Sequence, residues 1–464
     1  MRHLGLSCVF AVVAHTTISI SAGAQTRIAE QYRQPADRII DAALSDSAAW
    51  TRLAALTDRF GHRFSGSPSL ERAIDWVLAE MRRDGLDSVR GEPVKVPRWV
   101  RGAESVTLLR PRQVPIRMLG LGGSIGTPAA GITAKVLVVG SFDELKSRAT
   151  EAEGRIVLFD VPFTTYGQTV QYRVNGAIEA AKVGAVASLV RSVGPFSMQT
   201  PHTGSMQYDT TGAVKKIPHA AITGEASSMF RRMQARGDTV VIKLVMSARK
   251  LPDSWSRNVV AELRGSESPD EVVVMGGHID SWDVGTGAMD DGGGVMVAWE
   301  AIRVLKRLGL KPRRTIRVVG WTNEENGLRG GTGYRDAHSA ELAGHVLAME
   351  SDGGVFAPRG FGFTGSDSAY AIVKQAGSLL RRIGADSISR PGGGADIGPI
   401  MARGVPGMGL NVDGTRYFWY HHTDSDTIDK LDPREMALCV ATMAVMAYVI
   451  ADLPERLPRA ASTP

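Results

Sequence analysis

Three apolar, strand-like runs in the second half of this chain each end on residues able to ligate a metal or move a proton. They are VVVMGGHID at 272 to 280, IRVVGWTNEE at 316 to 325 and HVLAMESD at 345 to 352. A glycine-rich turn, GAMDDGGG at 287 to 294, and a polar segment, YHHTDSDT at 420 to 427, carry further residues of the same kind. In an open α/β sheet, groups at the carboxyl ends of parallel strands converge on one crevice. His278, Asp290, the Glu324-Glu325 pair, Asp352 and His422 are therefore expected to meet. Two histidines and three carboxylates suit zinc, or less often manganese or cobalt, and a further carboxylate beside them is free to move protons. The pattern outlines a two-metal hydrolase.

The intervening stretches agree. Strands expected at 272–276, 315–321, 345–349 and 405–412 alternate with helices expected at 295–308, 368–383 and 433–453. That alternation predicts an α/β fold, a mainly parallel sheet with helices on both faces. The last helix is apolar enough to resemble a membrane span, but Arg434, Glu435 and Asp452 interrupt it and favour a buried C-terminal helix. No stable membrane insertion is expected. Residues 36–85 read as mostly helical. Ser67-Pro68 has the form of a helix start, and Leu70, Ile74, Val77, Leu78 and Met81 recur at helical spacing as one apolar stripe.

At 464 residues the chain exceeds one ordinary core. Residues 1–24 have the layout of a cleaved signal peptide: Arg2 and His3, an apolar stretch, then Ala22-Gly23-Ala24. Removing them leaves Cys439 alone and excludes an intramolecular disulfide, which fits an exported protein of a bacterial periplasm or the medium. Residues 25–110 and 251–464 form the expected catalytic part. Residues 111–250 are expected to be an inserted β-rich module, with strand-like runs at 134–140, 155–161 and 240–246 and a helix at 177–190. His202 and His219 there are isolated and read as surface or loop residues, and His338 and His345 as structural. The net charge of +6 comes from Lys and Arg spread along the chain, a solvated basic surface with no nucleic-acid stripe.

His278 and Asp280, two apart at a strand end, point to one side. Asp280 is expected to accept the imidazole N–H and fix the metal-binding tautomer. A carboxylate at Asp290, where glycines let backbone approach closely, can bridge two ions. Glu324 and Glu325 face opposite ways in extended backbone, so one can ligate while the other holds the attacking water. Two ions about 3.5–4 Å apart acidify that water and polarise a carbonyl, and a neighbouring Glu takes its proton.

GGHIDSWDVGTGAMDDGGG, WTNEENGLRGG and YHHTDSDT resemble the motifs of the co-catalytic di-zinc exopeptidases, above all their plasma glutamate carboxypeptidase (carboxypeptidase Q-like) subgroup. The likeness extends over most of the mature chain, and GRIVLF, NGAIEAAKVGAVASLV and IPHAAIT resemble a protease-associated domain. The resemblance implies two zinc ions, one on His278 and Asp352 and the other on Glu325 and His422, with Asp290 bridging. It also implies Glu324 as general base, Asp280 supporting His278, and a cis Asp290–Asp291 peptide. Where relatives carry a Tyr that hydrogen-bonds the tetrahedral intermediate, this chain has His421, with Tyr420 as second candidate. The expected substrate is an unblocked dipeptide or other short peptide, with an Arg, not identifiable from sequence, on its carboxylate. A homodimer is the protein assembly considered. A single-zinc glutaminyl cyclase and a non-enzymatic receptor-like relative share the fold, but the complete ligand set and base argue against both. Carboxypeptidase, aminopeptidase and dipeptidase action depend on loop shape and stay open.

Overall fold

The computed structural model describes residues 22–460. The expected signal segment 1–24 lies outside them except for its last three residues, which begin the helix Ala22–Leu44.

The central sheet has eight strands in the order Asp87–Val100, Arg249–Leu263, Arg314–Trp321, Ser268–His278, His345–Glu350, Gly407–Val412, Pro358–Thr364 and Ser387–Ser389. The middle is parallel. Ser268–His278 runs beside Arg314–Trp321 with His278 opposite Trp321, and beside His345–Glu350 with Gly276 opposite Glu350. Every residue of Arg314–Trp321 and His345–Glu350 is buried, as strands covered on both faces must be. Because these three strands end at one level, the turns after them open on a common edge of the sheet. The flanks are antiparallel, which makes the sheet mixed.

The apolar stripe from Leu70 to Met81 is buried on the helix Pro68–Arg83, and the Ser67 hydroxyl accepts from Leu70 N–H at its start. That supplies a partner for one of the helix's free amides. The helix Pro433–Asp452 is long and apolar enough to cross a membrane, and 83% of its most apolar window is buried inside the protein. It packs on the helices Gly293–Arg307 and Ala22–Leu44. Asp432 caps it through Arg434 N–H and Glu435 N–H.

A second eight-stranded sheet draws its strands from residues 104–246, with separate apolar clusters on its two faces. Glu104–Arg110 pairs here with Val241–Met246, so this sheet starts before the boundary expected at 111. The helix expected at 177–190 is instead the helix Tyr166–Lys182 followed by the strand Ala187–Arg191. Gly184, at φ +78, turns the chain between them, and a short apolar run such as ASLV fits either element by periodicity. Beyond Ser378 the helix expected to reach 383 gives way to a short 3-10 turn. His202 and His219 are buried and not at the surface. His219 opens the strand His219–Ile222 and bonds the Ser188 hydroxyl at 2.8 Å, and its burial pushes its pKa down to about 4.

Candidate metal and active site

The three parallel strand ends, the 287–294 turn and the loop at 420–426 bring all five expected ligand residues and Glu324 together. His278 Nε2 lies 3.1 Å from Asp290 Oδ1, 3.4 Å from Asp352 Oδ1 and 4.0 Å from Glu324 Oε2. The other oxygen of Asp290 lies 3.3 Å from His422 Nε2, which is 3.1 Å from Glu325 Oε2. Asp290 thus faces one cluster with each oxygen. Glu324 and Glu325 reach opposite ends from within a turn and not from the extended backbone expected, with Asn323 before them in the left-handed region at φ +67.

Second contacts hold these groups. The Asp290–Asp291 peptide is cis. Asp291 carboxylate oxygens accept His278 N–H at 3.1 Å and Gly294 N–H at 3.0 Å. Any side chain at Gly277 would put its Cβ 2.0 Å from Asp291 Oδ2, so glycine is required there. Asp426 accepts Met289 N–H and Asp290 N–H at 2.7 and 3.2 Å. Arg63, fully buried, donates from Nε to Ile279 O at 2.8 Å, from Nη1 to Thr286 O at 2.7 Å and from Nη2 to Gly287 O at 2.8 Å, stitching the turn to the strand end. Trp282 lines the far side, its ring 5.5 Å from that of His422.

Asp280 departs from expectation. Its carboxylate is 3.8 Å from His278 Nδ1, while its main-chain carbonyl accepts from Nδ1 at 3.0 Å. The tautomer is fixed all the same, since a carbonyl can only accept and Nε2 is left with its lone pair toward Asp290 and Asp352. The Asp280 carboxylate instead takes Glu324 N–H and the Ser65 hydroxyl, each at 3.1 Å. It positions the Glu turn.

His421 stacks on His422 with ring centroids 3.5 Å apart, and its Nε2 is 3.7 Å from Asp290 Oδ2. By proximity alone either imidazole could join Asp290 in a metal site, and His278, Asp290 and Asp352 form a second such group. Tyr417 and Tyr420 both pack, partly buried, against the main core, and Tyr417 also lines the cavity beside the cluster. That cavity, about 380 Å³, is also lined by Tyr166, Arg173 and Ser205 of the second-sheet region. This region is fastened to the site through Thr203 N–H to His422 O at 2.9 Å and the Ser205 hydroxyl to Glu325 O at 2.8 Å. Sequence reasoning missed Arg63, Asp291, Asp426, Tyr166, Arg173 and Tyr417. Only Asp291 and Asp426 carried a signal, as further acids inside the quoted motifs.

The electrostatics call for cations. Burial pushes Glu324 up to about 8, with His278 opposing and Asp352 and Asp290 adding to the rise. Burial and the Asp290 charge hold Glu325 well above the carboxylate range. Asp290 Oδ2 and Asp352 Oδ1 are buried with no hydrogen-bond partner. Buried carboxylates in this density persist when paired or metal-bound. The donor set of imidazole and carboxylate fits zinc.

Residues 258–447 match the model of Peptidase family M28. Carboxypeptidase Q of Mus musculus is 48% identical over 92% of this chain and 91% of its own, and that of Bos taurus is 50% identical over 89% and 88%. A solved structure of a peptidase M28 precursor from Shewanella amazonensis superposes with a TM-score of 0.90 at 36% identity, covering 93% of this chain and all of that one. The chain belongs to peptidase family M28, with the carboxypeptidase Q proteins among its relatives, and is a metallo-exopeptidase.

Proposed function

We propose that this metallo-exopeptidase hydrolyses short peptides, foremost unblocked dipeptides, using two zinc ions per chain. His278 and Asp352 would hold one ion, Glu325 and His422 the other, and Asp290 both. The observation that carries this is the central position of Asp290, with one oxygen facing His278 and the other His422. When bound, zinc supplies polarisation of the scissile carbonyl and acidification of a water. Glu324 is the proton carrier: beside the ligand cluster, 4.0 Å from His278 Nε2, its carboxylate would accept a proton from water and return it to the leaving amine. Asp280 orients it through Glu324 N–H. His421 and Tyr417, both on the cavity wall, are the candidates to hydrogen-bond the developing oxyanion.

Substrate size follows from the cavity. About 380 Å³, partly roofed by Tyr166, Arg173 and Ser205, accommodates a few residues and excludes folded chains. We read residues 25–110 and 251–464 as the peptidase part and the segment between, with Glu104–Arg110 added to it, as the module that roofs the cleft. The leader-like 1–24 and the lone buried Cys439 support export to the periplasm or medium.

The test is hydrolysis of a free dipeptide, its N-acetylated form and its C-amidated form by zinc-loaded enzyme, with zinc counted per chain. Expected are two zinc ions, activity lost on chelation and restored by zinc, and intolerance of end blocking. Efficient cleavage of a doubly blocked peptide would refute exopeptidase action, and a single zinc with full activity would refute the two-ion site.

A further inference from the structure

We propose that the segment 203–205 of the second-sheet region positions Glu325 and His422, and so sets the affinity for the ion they would hold while leaving the ion on His278 and Asp352 alone. It rests on the two-ion reading above and deepens it, because it makes the two ions unequal and ties one of them to the second sheet.

The two halves of the ligand cluster are held by different parts of the chain. His278 N–H is bonded by the Asp291 carboxylate, and its ring Nδ1 by the Asp280 carbonyl. Next to Asp352, Ser351 N–H bonds Gly276 O at 2.9 Å. These partners lie on the central sheet or on the turns that follow its strands. The other half differs. The Ser205 hydroxyl donates to Glu325 O at 2.8 Å, and Thr203 N–H donates to His422 O at 2.9 Å. Each bond starts in the second-sheet region and ends on the main chain of a residue assigned to the same ion. His422 stands at φ +60, a left-handed conformation that a residue with a Cβ keeps only where its surroundings enforce it. A third contact acts through Trp282, whose N–H holds the Glu325 carboxylate at 3.2 Å. The Trp282 ring packs on Gly122 of the second-sheet region, where a Cβ would fall 2.1 Å from it.

The segment can serve as a template because it is fixed from behind. Thr203 Oγ1 donates to Gly120 O at 2.9 Å, Gly122 N–H to Gly204 O at 2.9 Å and Met206 N–H to Gly122 O at 3.0 Å. On its other side the buried His202 donates its N–H to the Ser192 hydroxyl at 3.0 Å. Contacts behind a ligand fix its direction, and losing one typically costs about 10–100-fold in metal affinity. Here those contacts reach Glu325 and His422 only, so a disturbance of the segment is felt at one ion. Linkage runs both ways: filling that position must in turn steady the segment.

The experiment strips full-length enzyme of metal and titrates it with zinc against a competing chelator, reading the two affinities separately. Ser205→Ala removes the hydroxyl on Glu325 O and touches no ligand side chain. Wild type should bind two ions. In Ser205→Ala one affinity should fall by about ten- to a hundredfold with the other unchanged, and Ser205→Thr, which keeps the hydroxyl, should restore most of the loss. A His422→Ala background leaves only the site on His278 and Asp352, and Ser205→Ala should have no further effect there. Amide hydrogen exchange at 203–206 gives a second measurement that needs no change at Ser205. It should slow when wild type takes up both ions and stay as in the metal-free enzyme when His422→Ala is loaded. Two affinities that fall together, neither falling, no rescue by threonine, or exchange that slows equally in His422→Ala overturns the proposal and leaves the two-ion reading intact. A single zinc in wild type sinks that reading and this one with it.

Discussion

Replacing Glu324 with Gln separates proton transfer from metal holding more cleanly than any other single change in this site. The side chain is about one-fifth exposed (21%), and its nearest basic atom is His278 Nε2 at 4.0 Å. Its carboxylate oxygens accept no hydrogen bond from any described residue, so an amide of the same shape breaks no protein contact. Stability should change by no more than about 0.5 kcal/mol. The backbone N–H that ties the residue to Asp280 is untouched. What is lost is the ability to take a proton at the edge of the ligand cluster. General acid–base catalysis contributes about 10²–10⁴-fold, which at 1.36 kcal/mol per decade is roughly 3–5 kcal/mol of barrier. The assay is kcat on a free dipeptide with zinc content and Tm measured on the same preparation. Turnover should fall by two to four orders of magnitude at full zinc occupancy. More than about a tenth of wild-type kcat, or a parallel loss of zinc, would refute the assignment of base and ligand within this pair.

Asp290→Ala should lower zinc affinity at both positions by at least about a hundredfold, since one residue faces both clusters, and a variant retaining two zinc ions per chain would be inconsistent with that. Arg63→Met leaves several buried carbonyls without a donor and should cost at least about 3 kcal/mol in chemical denaturation, with a much smaller loss counting against its stitching role. His338 bonds Glu92 and Glu341. Burial disfavours its charge, but these partners outweigh that and raise its pKa above 6.5. The folded state therefore binds this proton more tightly than the unfolded chain. The stabilisation is complete below about pH 6.5 and is lost as pH rises through the raised folded value. The Tm difference between wild type and His338→Gln should accordingly be larger at pH 5.5 than at pH 9, and a flat or inverted difference would contradict the linkage.

Which residue types meet, and on what scaffold, was legible in the sequence because both are written in short-range patterns. The apolar runs before His278, Glu324 and Asp352 mark parallel strands, whose ends converge whatever the loops do. The Ser67 cap and the stripe to Met81 are likewise contacts within a few residues, as is the choice of donor types for a metal. Three-dimensional packing decided the rest. It placed a carbonyl, not the Asp280 carboxylate, on His278, because the geometry of a strand end turns on the Glu turn and Ser65 packed against it. It put Tyr417, and not Tyr420, on the cavity wall, a difference of less than one helical turn. It buried His202 and His219, and it split one apolar run into a helix and a strand at Gly184. Arg173 is the sharpest case. Nothing near it in the chain distinguishes it from other arginines on amphipathic helices. Among the described residues no carboxylate pairs with it, although it lines a cavity whose acids lie more than a hundred residues away. A missing contact is a property of the packed structure alone, since local sequence specifies neighbours along the chain and not which charges remain unpaired once the sheets close over them.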